Sequence, residues 1–87
     1  MDMTEQQILA DLANIIVECT GATAGDVTLD ADLANDLDID SLSMVELIAI
    51  VQDELGVSIP DEELKSLRIV QDVVGYVHRA QRSDMSA

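Results

Sequence analysis

Aromatic residues are almost absent from this 87-residue chain: Tyr76 stands alone, with no Trp and no Phe. A core made without large rigid rings must be assembled from Ala, Val, Ile, Leu and Met, and should be softer than most. Positive charge is scarce as well. Lys and Arg number 4 against 18 Asp and Glu, a formal net charge of −14. So acidic a surface repels phosphate backbones and anionic bilayers, which argues against nucleic acid as a partner and favours basic partners. The single Cys19 rules out an internal disulfide and a multi-cysteine zinc site, and the single His78 rules out a histidine cluster. The longest apolar run, Leu47 to Val51, is far short of the ~20 residues that cross a bilayer, so no membrane insertion is expected. The N-terminal Met1-Asp2-Met3-Thr4-Glu5 is acidic and lacks the character of a signal peptide. The expectation is a soluble, cytoplasmic monomer.

What the chain does have is aliphatic content. Hydrophobic residues make up 48% of it, too many for a solvated acidic tail. Its length allows one domain, with modest stability. Thr4-Glu5-Gln6-Gln7 has the form of a capping box. Behind it Ile8, Leu9, Leu12, Ile15, Ile16 and Cys19 recur at helical spacing within an arc of about 120°. A helix is predicted over residues 5–19, stopped by Gly21. Residues 20–40 show no helical period and hold five aspartates between Asp30 and Asp40. They read as a long loop that Val27, Leu29, Leu33 and Leu37 could pin to a core. Helical spacing returns over 41–55, with Gly56 as a stop. Pro60-Asp61-Glu62-Glu63-Leu64 reads as a short helix, since Pro suits a first turn and acids suit the N-terminal dipole. Val70, Val73, Val74 and Val77 mark a last helix over 69–80. Residues 81–87 lack a pattern and read as a mobile tail. The predicted fold is an all-α four-helix bundle over residues 1–80, three longer helices plus one short one, with a long loop between the first two.

The second helix carries the most information. Met44, Leu47, Ile48, Val51 and Leu55 share one arc of about 100°, enough to serve the core. Leu42, Val45 and Ala49 form a second stripe centred roughly 140° away, bordered by Glu46 and Asp53. So small a domain can cover only one stripe well. The other is a candidate docking face for a basic partner, or a scatter of small exposed hydrophobes with no role.

Ser41 opens this helix, directly after Asp36-Leu37-Asp38-Ile39-Asp40. Ser and Asp serve as N-caps, but three aspartates in five residues exceed what a cap requires. A calcium loop would use Asp36, Asp38 and Asp40, yet it fails at Ser41, where glycine is needed, and at Leu47, where a bidentate Glu is needed. A serine hydrolase fails too. There is no nucleophile-elbow pattern, and His78 lies 37 residues beyond Ser41 with no evident partner. No base in the chain activates Ser41. If its hydroxyl is used, a separate enzyme does the chemistry.

Asp40-Ser41-Leu42-Ser43-Met44-Val45-Glu46-Leu47, with Val57-Ser58-Ile59-Pro60-Asp61-Glu62-Glu63 downstream, resembles the acyl carrier protein signature. The stretch 36–46 resembles the carriers of type II fatty-acid synthases in particular. The resemblance runs over about residues 5–80. It implies a non-catalytic protein whose Ser41 receives 4′-phosphopantetheine from coenzyme A, installed by a separate phosphopantetheinyl transferase. Acyl chains then ride as thioesters on the arm. It implies that Asp40 helps present the serine. Leu42, Val45, Glu46, Ala49 and Asp53 would meet transferase and synthase enzymes through their basic docking patches. With the calcium loop rejected, no metal site is expected, and weak divalent binding to the acids stays open. A polyketide-type carrier shares the fold and arm, and an unmodified acidic interaction module is the alternative of a different class. Asp40 and Glu46 repel a phosphodiester, so the arm is expected to be held loosely. Family carriers also part their helices to shelter the acyl chain. The chain departs from the family at Asp38-Ile39, where many relatives carry Gly and a small residue, and at Arg68-Ile69, where a Thr cap is frequent. Cys19 is expected to be buried and inert, and Tyr76 and His78 to be surface or packing residues.

Overall fold

In the computed structural model, which describes residues 3–86, three long helices carry the fold: α1 (Glu5–Thr20), α2 (Ser41–Leu55) and α3 (Val70–Ser86). Two 3-10 segments, Ala24–Asp26 and Asp61–Ser66, lie in the connections. The only pairing of extended backbone among the described residues is an isolated antiparallel bridge between Asp32 and Ile69. The all-α bundle expected from periodicity is the observed architecture.

α1 and α2 start and stop for local reasons, and α3 starts for one. The Thr4 hydroxyl accepts from the Gln7 backbone N–H (3.2 Å), and the Gln7 side chain accepts in return from the Thr4 N–H (2.9 Å). Gly21 ends α1 at φ 77° and Gly56 ends α2 at φ 66°, left-handed positions that only glycine takes at no steric cost. The missing Thr cap of α3 is replaced from inside the helix: the Asp72 carboxylate accepts from the N–H groups of Arg68 (3.0 Å) and Ile69 (3.3 Å). The helix therefore begins at Val70, one residue later than its valine stripe suggested.

α1 packs against both α2 and α3. Ile8, Leu12, Ile16, Leu47, Val51, Val70, Val73, Val74 and Val77 are fully buried where they meet. The core is aliphatic throughout, and no polar or charged residue is buried among the described residues. Each fully buried Leu, Ile or Val contributes about 1.5–3 kcal/mol by leaving water, which offsets the weak helix propensity of the valines in α3.

Four expectations need correction. The last helix does not stop at residue 80, because α3 runs on to Ser86. Gln81 is tied at both ends of its amide: Oε1 accepts from the Met3 N–H (3.3 Å) and Nε2 donates to the Leu55 carbonyl (3.3 Å). An apolar stripe marks where a helix is covered, not where its backbone ladder stops. Ala87, and the side chains from residue 82 onward, lie outside the described residues. The short helix at 60–64 is a 3-10 segment, Asp61–Ser66, following Pro60. In the long loop, Leu29 is 40% exposed and pins nothing, while Ala31 and Ile39 join Val27, Leu33 and Leu37 in the core. Cys19 is half-buried at the core edge rather than enclosed.

The loop between α1 and α2 is laced to the start of α3. Leu33 N–H donates to the Arg68 carbonyl (2.9 Å), Val70 N–H to Ala31 (3.0 Å) and Gln71 N–H to Leu29 (2.8 Å). Asp32 closes a turn by accepting from Ala34 and Asn35 N–H groups, each at 2.9 Å. These bonds give irregular backbone the partners that helix or sheet would otherwise supply.

Candidate functional site

The approach to Ser41 begins at Asp38, the only non-glycine residue at positive φ among the described residues (58°). Asp tolerates this left-handed geometry better than most side chains. The twist sends Ile39 inward, where it is buried, and leaves Asp38 and Asp40 outward and exposed. The backbone bend before the helix is thus made with an aspartate. Ile39 N–H donates to the Leu33 carbonyl (3.0 Å), fixing the chain just before the helix.

Asp40 is the N-cap of α2. Its carboxylate accepts from the Ser43 backbone N–H at 2.8 Å. That bond, joined by one from the Ser43 hydroxyl, holds the Asp40 carboxyl below its usual range. Ser41 is the first residue of the helix and is exposed. A group esterified there would sit at the positive end of the helix dipole.

Beside Ser41 opens a pocket of about 530 Å³, with Leu33, Ile39, Met44 and Leu67 on its apolar side and Asp32, Asp40 and Arg68 among its polar lining residues. Asp32 also sits below the ordinary carboxylate range, chiefly because of the Asn35 N–H bond, with the charge of Arg68 as the smallest cause. Of the lining residues, the sequence marks only Asp40 and Ser41 as site residues. The available signal for Arg68 was its rarity as one of four basic residues.

The second stripe of α2 lies in the open. Leu42 is 72% exposed and Val45 52%, and Glu46, Ala49 and Asp53 are exposed with them. The helix thus sets a hydroxyl, two bare aliphatic side chains and two carboxylates along one continuous outer face. Cys19 offers no competing chemistry. Burial first, and then the carboxylates of Glu46 and Glu18, push its thiol upward and keep it protonated. Among the described residues no group of three or more His, Cys, Asp or Glu could hold a metal, and no helix is long and apolar enough to cross a membrane.

A family model described as a phosphopantetheine attachment site matches residues 10–77, most of the chain. The acyl carrier protein of Thermobifida fusca is 49% identical over 79 residues, spanning 91% of this chain and 100% of that one. The chain belongs to the acyl carrier protein family. The meromycolate extension acyl carrier protein of Mycolicibacterium smegmatis is 46% identical over 87 residues, covering 100% of this chain and 88% of that protein. A solved acyl carrier protein structure from Enterococcus faecalis superposes with a TM-score of 0.75 at 31% identity, covering 90% of this chain and 99% of that one. As an acyl carrier protein the chain is a carrier of acyl groups and not a catalyst, and its prosthetic group is phosphopantetheine. The residues around Ser41 fit that group: an exposed primary hydroxyl, no base of its own, and open space beside it.

Proposed function

We propose that Ser41 is the attachment point, and that the protein carries growing acyl chains between the enzymes of type II fatty-acid biosynthesis in the cytoplasm. The observation that supports this most is the exposed Ser41 hydroxyl at the head of α2, beside a pocket with room for the start of an arm. A separate transferase makes the Oγ–phosphorus bond as the pyrophosphate linkage of coenzyme A breaks and adenosine 3′,5′-bisphosphate leaves, and it takes the hydroxyl proton, since this chain supplies no base for it. The bound group supplies a terminal thiol that carries the acyl chain as a thioester. Asp40 holds the helix start and presents Ser41 to the transferase. Leu42 and Val45 give partners an apolar footing. Glu46 and Asp53 steer basic docking patches, speeding encounter more than deepening affinity, which suits a monomeric carrier that must leave each enzyme quickly.

The likeness to meromycolate extension carriers favours a second reading, in which the cargo is a meromycolate chain under extension. Intact mass after incubation with coenzyme A, magnesium and a broad-specificity transferase tests the shared claim. The wild type should gain one phosphopantetheine unit, and Ser41→Ala none. An unchanged wild-type mass on folded protein would leave only an acidic interaction module. Comparing extension of a short and a long acyl-loaded form by a ketosynthase separates the two cargoes.

A further inference from the structure

Two carboxylates near the head of α2 speak for a phosphodiester pushed away from the protein, yet only one of them borders the space beside Ser41. Glu46 is not among the residues lining that pocket, and Asp40 turns its carboxylate to the Ser43 N–H. Arg68 does line it, alone among the basic residues whose side chains are described. Its backbone is fixed on both sides: the carbonyl accepts from Leu33 N–H (2.9 Å) and its own N–H donates to the Asp72 carboxylate (3.0 Å). Its side chain is exposed. Asp32, the other carboxylate of the pocket, spends its Oδ1 on the N–H groups of Ala34 and Asn35, and the charge of Arg68 is the smallest of the causes acting on it, so the pull between the two is weak.

We propose that Arg68 is the positioning residue for the phosphodiester on Ser41, drawing the first part of the arm into the groove between α2 and the Leu67–Arg68 segment. The proposal rests on the attachment reading above. A guanidinium presents paired N–H donors that match two oxygens of a phosphate group. Once the phosphate is held, the rest of the arm leaves Ser41 over Leu33, Met44 and Leu67 rather than over the exposed Leu42 and Val45. The docking stripe then stays bare for partners while the arm is loaded. At this exposure the attraction is screened by salt, so the arm is released readily.

The test compares apo and loaded protein by amide and Arg Nε–H chemical shifts and by the phosphorus signal, in wild type, Arg68→Gln and Arg68→Lys. In the wild type, loading should shift Leu33, Met44, Leu67 and the Arg68 Nε–H, besides the neighbours of Ser41. Arg68→Gln should lose at least half of the change at Leu33 and Leu67 while keeping that beside Ser41, and Arg68→Lys should recover part of it. Raising salt toward 1 M, where the screening length is about 3 Å, should reverse the distant shifts in the wild type. That salt series decides the matter if Arg68→Gln does not fold. A loaded wild type with no response at Leu67 and the Arg68 Nε–H, or one insensitive to salt, overturns the role of Arg68 and leaves Ser41 attachment intact. A wild type that gains no mass overturns both.

Discussion

The two faces of α2 are made of the same kinds of residue and do opposite things. Leu47, Ile48, Val51 and Leu55 are buried against α1, while Leu42, Val45 and Ala49 stand in solvent one helix width away. Hydrophobicity alone does not separate them; position around the helix does. The covered face has neighbours at native packing density, and its worth is measured in folding free energy. The bare face has Glu46 and Asp53 for company, and under the proposed function its worth is measured in what docks there.

The largest expected effect lies on the covered face. Leu47→Ala should cost about 2–5 kcal/mol by leaving a cavity, a large share of the stability of so small a domain, whereas Leu42→Ala should change it by no more than about 0.5 kcal/mol. Denaturant melts of the two variants check this, and equal losses would break the comparison. Next comes charge on the bare face. Glu46→Lys should slow loading by the transferase by roughly tenfold at low salt, with the deficit shrinking as salt rises. Stopped-flow encounter rates measure it, and a normal rate removes Glu46 from the docking face. A smaller effect is expected where the loop enters the helix. Asp38→Gly should raise stability by about 0.5–1 kcal/mol, as relief of left-handed strain outweighs the added freedom of the unfolded chain. The subtlest effect is one of pH. The Asp40 carboxyl is held below its usual range. Its cap therefore stabilises the folded state above the unfolded value of about 4 and loses that contribution as pH falls through the folded value. Asp40→Ala should melt below the wild type at neutral pH, and the gap should narrow in acid.

After Leu47, the most legible features were those written in period. The stripes of α1, α2 and α3 and the glycines that stop the first two follow from local rules. So does the bareness of Leu42 and Val45, which follows from counting faces in a domain with too few helices to cover both. The loop was harder. Ala31 is buried and Leu29 exposed in a loop held by backbone bonds from Leu29, Ala31 and Leu33 to Gln71, Val70 and Arg68, some 35 to 42 residues away in sequence, and Ile39 is buried where its N–H meets Leu33. No window of local spacing contains such pairings. The end of α3 was missed for a related reason. Gln81 is secured by Met3 and Leu55, partners distant in the chain. The pocket beside Ser41 needs Leu33, Met44 and Arg68 brought together from three segments, so the hydroxyl could be found in the sequence but not the groove next to it.

The lacing of Ala31 and Leu29 to the amides of Val70 and Gln71 has a consequence for synthesis. The bend that aims Ser41 outward is braced by residues that leave the ribosome some thirty positions after it. A half-made chain would expose the serine on an unbraced strand, and only release of the final helix completes the shape around it.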